Sequence, residues 1–215
     1  MQHLKAQNIR GSFHKGTLMT LPILILAAGQ SSRMRGVDKL LENIDGVALL
    51  RRQINITSAV GGPVFVALPD PAHPRTTQLT GTNALPIFVP NASEGLGVTL
   101  REAVAALPTC PAFMVVLADL AALEGSDLAT ILNAREYNPN YLIWRGATEV
   151  GKPGHPIIFD ASLRPAFANL AGDTGGAAIL KSQKDQTCLV PIPGHRALLD
   201  LDTPEDWARW RAETR

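Results

Sequence analysis

The feature that most constrains the fold is the continuous apolar run of residues 23–28, which lies between Pro22 and Gly29. Apolar runs without polar alternation are typical of parallel strands buried on both faces, and such strands occur almost only between two layers of helices. A polar loop containing glycine follows the run, at the sheet edge where open α/β sheets bind their ligands. The run therefore predicts an α/β protein whose first strand leads into a ligand site.

Strand and helix patterns alternate over most of the remaining chain. Apolar runs predict further strands at residues 64–68, 84–89, 113–118, 141–144, 155–159 and 187–190. Helical spacing predicts helices over residues 47–60, 96–107 and 161–169, after Gly175 and from Pro204. We predict a three-layer, Rossmann-like α/β fold with a mostly parallel sheet, formed by one domain over residues 19–215 after a disordered extension over residues 1–18.

Composition excludes several classes of protein. Twenty basic side chains against nineteen acidic ones give a net charge of +1, which favours neither nucleic acid nor a membrane surface as partner. Cys110 and Cys188 lack metal or redox spacing, so we expect free thiols and a cytoplasmic location. Residues 18–28 are similar to a secretory signal, but cleavage there would destroy the loop that follows, so we interpret the run as a strand.

Residues 27–39, which we call the glycine loop, carry the groups that a nucleoside triphosphate needs. Small residues at the strand end allow a base and ribose to approach the backbone, and the amides from Gly29 onwards can point at phosphate oxygens. Arg33 and Lys39 supply positive charge for the triphosphate and for the leaving pyrophosphate. The alternative interpretation is a flexible polar loop with two surface cations.

Two aspartates are candidates for a Mg²⁺ site. Asp119 directly follows the apolar run that ends at Ala118, so its carboxylate lies at the ligand-binding edge of the sheet. The alternative role for Asp119 is to cap the next helix. Asp202 is a second candidate, and its alternative role is to start the terminal helix, since Thr203 and Pro204 follow it.

Three other enzyme classes fit the sequence poorly. Residues 172–176 are similar to the nucleophile segment of trypsin-like proteases, but Thr174 replaces the serine and all-β patterning is missing. Arg33 stands where the tight turn of a hydrolase nucleophile needs glycine. The glycine loop also lacks the Gly-Lys-[Ser/Thr] of phosphate-hydrolysing NTPases and the third glycine of dinucleotide-binding enzymes.

Six segments together resemble the signature of MobA-like nucleotidyltransferases, which include the guanylyl- and cytidylyltransferases of the molybdenum cofactor. These segments keep the order of the family and are residues 26–39, 91–97, 115–119, 154–157, 172–176 and 200–206. The resemblance implies Mg²⁺-dependent transfer of a nucleoside monophosphate to a phosphorylated small molecule, with release of pyrophosphate. The acceptor that it favours is molybdopterin. It also implies a molybdenum enzyme as a protein partner.

The resemblance implies a role for individual residues. Catalysis is assigned to Arg33, Lys39 and Asp119, and the metal to Asp119 and Asp202. The acceptor is assigned to Asn91, Gly95, Gly154 and His155, although His155 has a packed or solvent-facing side chain as its alternative. Nucleotide binding is assigned to Leu26, Ala27, Ala28, Gly29, Gln30, Ser31, Ser32, Arg33 and Lys39.

Two departures from the family leave the substrate and the activity open. Arg35 stands where the family has glycine, and Leu120-Ala121 where it commonly has Met-Pro, which keeps a non-catalytic nucleotide-binding maturation partner as an alternative. Ala27-Ala28 resembles the cytidylyl branch, whereas the spacing from Arg33 to Lys39 resembles the guanylyl branch. We favour CTP and molybdopterin, with GTP and then sugar phosphates as alternatives.

Overall fold

A computed structural model describes residues 21–213, so the extension assigned to residues 1–18 lies outside the described residues. The strands are β1 (Ile23–Leu26), β2 (Asn43–Ile44), β3 (Val47–Ala48), β4 (Val64–Leu68), β5 (Leu85–Phe88), β6 (Ala112–Leu117), β7 (Ile143–Ala147), β8 (Pro153–Asp160) and β9 (Thr187–Pro191). The helices are α1 (Leu49–Ala59), α2 (Leu96–Ala106), α3 (Gly125–Tyr137), α4 (Arg164–Phe167), α5 (Ala177–Ser182) and α6 (Pro204–Glu213).

Seven strands form one sheet in the order β5-β4-β1-β6-β8-β7-β9, and β2 and β3 form a separate hairpin. Only β8 runs against its neighbours in this sheet, which confirms the mostly parallel architecture. Leu26 at the end of β1 pairs in register with Ala67 of β4 and Leu117 of β6. The segments that follow these three strands therefore meet at one edge of the sheet.

Side chains of β1 alternate between two helical layers. Ile23 and Ile25 pack into the clusters that α1, α3 and α6 complete, whereas Leu24 and Leu26 pack into the cluster completed by α2, α4 and α5. Ile23, Leu24 and Ile25 are fully buried because both faces of the strand are covered. The three-layer α/β fold is thus confirmed.

The helices differ from the sequence-based prediction in three places. Val47 lies in the β2–β3 hairpin, half-exposed, so the first helix begins at Leu49 instead. The helix predicted over residues 161–169 is a 3-10 turn followed by the short α4. The sequence did not indicate α3, because its fully buried apolar stripe consists of Leu128 and Ile131 alone.

None of the helices within residues 21–213 combines the length and the apolar character that a membrane crossing requires.

Candidate active site

A cavity of about 460 Å³ opens where the segments after β1 and β6 meet, and its size is that of a small-molecule site. Its opposite wall is the start of α2, where Gly95 and Gly97 allow the chain to pack directly on the backbone of residues 171–172. Asp173 lines the cavity as a result. Of the residues assigned to the nucleotide, Leu26, Ala28, Gly29, Gln30, Ser31, Ser32, Arg33 and Lys39 line this cavity.

Lys39 joins the two predicted metal ligands at the floor of the cavity. Its Nζ lies 2.6 Å from Oδ2 of Asp119 and 2.5 Å from Oδ1 of Asp202. The second carboxylate oxygen of Asp202, Oδ2, forms an ion pair with Nη1 of Arg33 at 2.7 Å. Residues that are far apart in sequence thus form one charged centre, in which two carboxylates converge on a single cationic nitrogen.

The side chains of this centre are largely shielded from solvent. Lys39, Asp119 and Asp202 are 14–20% exposed, so their mutual attraction is stronger than it would be in bulk water. Burial alone would lower the pKa of Lys39, but the charges and hydrogen bonds of Asp119 and Asp202 outweigh it and raise that pKa. The ammonium group therefore stays charged at neutral pH.

Asp119 retains a free acceptor. Its Oδ1 is buried and has no hydrogen-bond partner within residues 21–213. The cap interpretation is wrong, because Glu124 caps α3 in a reciprocal capping box with Asp127. A buried carboxylate oxygen without a partner, next to a second carboxylate, suits a hard divalent cation.

The segment after Asp119 is held from the α1 side. Gln53, which is buried in α1, donates from Nε2 to the carbonyl oxygen of Leu120 at 2.7 Å. Leu120 and Ala121 are themselves buried, and Leu120 pairs with Asp200 in an isolated antiparallel bridge. The two residues that depart from the family pattern therefore pack in the core and leave the Asp119 carboxylate at the cavity.

Thr203, rather than Asp202, starts the terminal helix. The Thr203 hydroxyl accepts from the backbone N–H of Asp206 at 3.2 Å, and the Asp206 carboxylate accepts from the Thr203 N–H at 3.0 Å. This reciprocal pattern is a capping box at the first turn of α6. Both carboxylate oxygens of Asp202 are thus left to Lys39 and Arg33.

Arg35 turns away from the cavity. Its backbone has φ 53° and ψ 43°, in the left-handed region that glycine adopts without strain, which explains the glycine in the resembled signature. The Arg35 side chain is 71% exposed and pairs with Glu205 at 2.7 Å. Arg35 is therefore not part of the cavity lining.

We expect Arg35→Gly to be more stable than Arg35→Ala by about 1 kcal/mol, since both variants lose the ion pair but only glycine relieves the left-handed strain. Urea unfolding of the two variants and the parent protein measures the difference. Equal free energies of unfolding for the two variants would contradict the assigned backbone strain.

Ala27, which the sequence assigned to the nucleotide, does not line the cavity. Side chains alternate along extended chain, so Leu26 and Ala28 face the cavity while Ala27 packs into the core cluster with Ile25. The Ala27 side chain therefore does not face this cavity. Only the carbonyl group of Ala27 takes part in the site, through Arg75.

Three of the four residues assigned to the acceptor also lie outside the cavity lining, and only Gly95 is part of it. Asn91 donates to the carboxylate of Glu102 on α2 at 2.9 Å. Gly154 packs so closely on the carbonyl of Ala197 that a Cβ would overlap it. Asn91, Gly154 and His155 thus do not line this cavity, and their assignment to the acceptor stays a prediction.

His155 is held neutral beside the site. Burial, with a further contribution from the Arg145 charge, lowers the pKa of His155 to about 4. Its Nδ1 is buried and lacks a hydrogen-bond partner in the described part of the chain. The packed alternative for His155 therefore describes its position better than the acceptor role.

Arg75 is the residue of the site that the sequence did not reveal. It lies in a segment rich in Pro and Thr between two predicted strands, yet its side chain is buried and donates to Asp38 of the glycine loop. Arg75 lies in the first turn of a 3-10 helix over residues 74–79, and His73 at its N-cap accepts from the backbone N–H of Arg75. No local pattern marks this contact, because its partners lie 37 to 48 residues earlier.

The charged centre, the glycine loop and the fold agree with one family. The model of the MobA-like NTP transferase domain matches residues 23–187, about three quarters of the chain. The chain belongs to this family. It is accordingly a nucleotidyltransferase, as the resemblance predicted.

Several solved structures share the fold of this chain. Rv0371c from Mycobacterium tuberculosis H37Rv is 24% identical with a TM-score of 0.73, and the match covers 89% of this chain and 97% of that one. A complex of Rv0371c with manganese is 22% identical, with a TM-score of 0.69, 88% of this chain and 97% of that one covered.

A CMP:2-keto-3-deoxy-manno-octonic acid synthetase complexed with CTP is 16% identical with a TM-score of 0.70, over 90% of this chain and 98% of that one. No protein of curated function matches the chain by sequence.

Proposed function

We propose that this MobA-like protein transfers a nucleoside monophosphate from a nucleoside triphosphate, with CTP preferred, to a phosphorylated acceptor of the molybdopterin type, with Mg²⁺ as cofactor. The observation that carries the proposal is the Lys39 ammonium held between Asp119 and Asp202 at the floor of a cavity lined by the glycine loop. This arrangement supplies cationic groups for phosphate and carboxylates for a divalent cation at one place.

The glycine loop offers backbone donors to the triphosphate. In the described part of the chain, the N–H groups of Ala28, Gly29 and Gln30 have no hydrogen-bond acceptor, and all three residues line the cavity. Unpaired amides at the end of a strand form a concave anion-binding surface. Arg33 extends this surface, because most of its side chain is exposed at the cavity.

Asp119 and Asp202 are the residues that would hold the divalent cation. They fit it because both already converge on one cationic nitrogen and because Oδ1 of Asp119 has no partner in the described chain. Bound there, Mg²⁺ would polarise phosphate oxygens and stabilise charge as pyrophosphate leaves. The manganese complex of Rv0371c supports a divalent metal in this fold.

The reaction needs no covalent enzyme intermediate. An oxygen of the acceptor phosphate attacks the α-phosphorus, and the bond from that phosphorus to the bridging oxygen breaks, so that the electron pair leaves with pyrophosphate. Arg33 and Lys39 are placed to neutralise the charge that develops on the phosphate oxygens. Catalysis then consists of positioning and charge stabilisation.

Ala28 supports the preference for CTP. Its side chain lines the cavity next to Leu26, so its methyl group occupies space that a glycine would leave to a purine base. With Mg²⁺ present at saturation, we expect CTP to raise the melting temperature by roughly 5 °C or more and GTP by clearly less. Thermal-shift titration measures both, and Ala28→Gly is the matched variant, in which GTP should gain relative to CTP. A larger shift with GTP in the parent protein would move the assignment to the guanylyl branch.

Release of pyrophosphate tests the acceptor and the enzymatic class. With CTP, Mg²⁺ and molybdopterin we expect continuous pyrophosphate release, and none when the acceptor is omitted. Turnover with a sugar phosphate instead would replace the acceptor. Tight binding of CTP without any turnover would favour the non-catalytic maturation partner, although Arg35 and Leu120, which motivated that alternative, lie outside the cavity lining.

We propose a cytoplasmic location for the protein. Cys110 and Cys188 are free thiols, which fits a reducing compartment. A molybdenum enzyme that receives the product is the proposed protein partner.

A further inference from the structure

Arg75 lies behind the glycine loop, with its side chain 2% exposed and outside the lining of the cavity. A buried guanidinium group is stable only when its charge is paired and its N–H groups are hydrogen-bonded. The contacts of Arg75 therefore show what the burial of this residue accomplishes.

All five N–H groups of the guanidinium have an acceptor within the glycine loop. Nε and Nη2 donate to the two carboxylate oxygens of Asp38, each at 2.7 Å, and Nη2 also donates to the Ser31 hydroxyl at 2.9 Å. Nη1 donates to the carbonyl oxygens of Ala27 and Gly29, both at 2.6 Å. One side chain thus fixes the beginning, the middle and the end of the loop.

The two carbonyl contacts set the direction of the amides that follow them. In a trans peptide the C=O of one residue and the N–H of the next point to opposite sides. With the carbonyls of Ala27 and Gly29 turned towards Arg75, the N–H groups of Ala28 and Gln30 point away from it. These are amides without an acceptor in the described chain, on residues that line the cavity.

Asp38 neutralises the charge of Arg75. Burial alone would raise the pKa of Asp38, but its hydrogen bonds and ion pair with Arg75 outweigh this effect and lower the pKa. Asp38 is therefore ionised at neutral pH, and Arg75 adds little net charge to the cavity. Its contribution to anion binding is geometric.

We infer that Arg75 is a positioning residue for the triphosphate: it turns the amides of Ala28 and Gln30 towards the phosphate oxygens. The inference rests on the proposed function in that it takes a triphosphate as the ligand. It assigns phosphate affinity to a side chain that does not touch phosphate.

Inorganic tripolyphosphate is the probe, because its binding depends on neither the base nor the acceptor. Arg75→Lys keeps the positive charge and the pairing with Asp38. One ammonium nitrogen with three N–H groups, however, cannot reach all the acceptors in the glycine loop that the planar guanidinium reaches. We expect its affinity for tripolyphosphate, measured by calorimetry below the melting temperature, to fall roughly tenfold or more. CTP with Mg²⁺ should lose affinity to a similar extent.

Arg51→Lys is the matched control. Arg51 donates to the carbonyls of Gln78 and Thr80, so it holds the same segment as Arg75 without contacting the glycine loop. This variant should lower the melting temperature while the affinity for tripolyphosphate stays within about a factor of two. A purely structural role of Arg75 would make the two variants behave alike.

Asp38→Asn tests the inference by the sign of its effect and does not depend on the folding of the Arg75 variant. Removal of a negative charge near the cavity would by itself strengthen anion binding. Asparagine offers Arg75 one acceptor oxygen instead of two, so the glycine loop is held less firmly, and we expect weaker binding of tripolyphosphate instead. Stronger or unchanged binding in Asp38→Asn, or unchanged binding in Arg75→Lys, overturns the inference. Failure of the parent protein to bind tripolyphosphate or any nucleotide would overturn the proposed function.

Discussion

Asp119→Asn is expected to keep its fold and to lose nucleotidyl transfer by roughly a hundredfold or more. The substitution preserves the shape of the side chain and leaves an oxygen that can still accept from Lys39. It removes the charge that a divalent cation requires, and the stabilisation by that cation grows as charge moves onto the bridging oxygen. The effect should therefore appear in kcat more than in nucleotide affinity, since Arg33 and Lys39 remain.

Pyrophosphate release with CTP and molybdopterin measures the loss. Asp160→Asn is the matched control, because Asp160 also lies at a strand end but caps the following turn by accepting from the N–H of Ser162. Asparagine is nearly as good a cap, so this control should retain both stability and turnover. Near-normal turnover of Asp119→Asn would show that Asp119 only anchors Lys39 and would rule out its role as a metal ligand.

Lys39→Met should lower turnover by roughly a hundredfold or more, since it removes the ammonium group that we propose to bind the reacting phosphates. The same change leaves Asp119 and Asp202 without the ammonium that they share, so their carboxylates repel each other. We expect the free protein to become less stable as a consequence. Turnover of the variant thus reports on the role of Lys39 towards phosphate, and its stability reports on the role of Lys39 towards the carboxylates.

Mg²⁺ alone, without nucleotide, gives the second measurement on Lys39→Met. In the parent protein the Lys39 ammonium competes with a cation for the two carboxylates, so Mg²⁺ should raise the melting temperature of the variant more than that of the parent. Lys184→Met, at an exposed lysine just before β9 and therefore at the opposite edge of the sheet from Asp119, should behave like the parent in both measurements. An equal response of Lys39→Met and the parent to Mg²⁺ would argue against a cation site at these carboxylates.

The sequence by itself determined the parts of the fold that depend on neighbouring residues. The apolar run of residues 23–28 indicated a buried parallel strand, and helical spacing from Leu96 onwards indicated α2. Burial of a segment leaves a period in its own residues, so such elements can be inferred without knowledge of their partners. Asp119 at the end of β6 was placed at the cavity edge by the same kind of argument.

Contacts between distant segments were decided by the tertiary structure. Arg75 gave no signal, because a single arginine in a Pro- and Thr-rich segment has the same local pattern whether it faces solvent or the glycine loop. Ala27 and His155 likewise depend on tertiary packing. The Ala27 side chain points into the core on the α1 side, and burial that the sequence does not show keeps His155 neutral.

The sequence identified Lys39, Asp119 and Asp202 as chemically suitable groups. Their meeting at one nitrogen depends on strand order, since the two aspartates lie 80 and 163 residues after Lys39. Local periodicity specifies the elements, whereas the free energy of pairing distant charges in a shielded cavity exists only after those elements have packed.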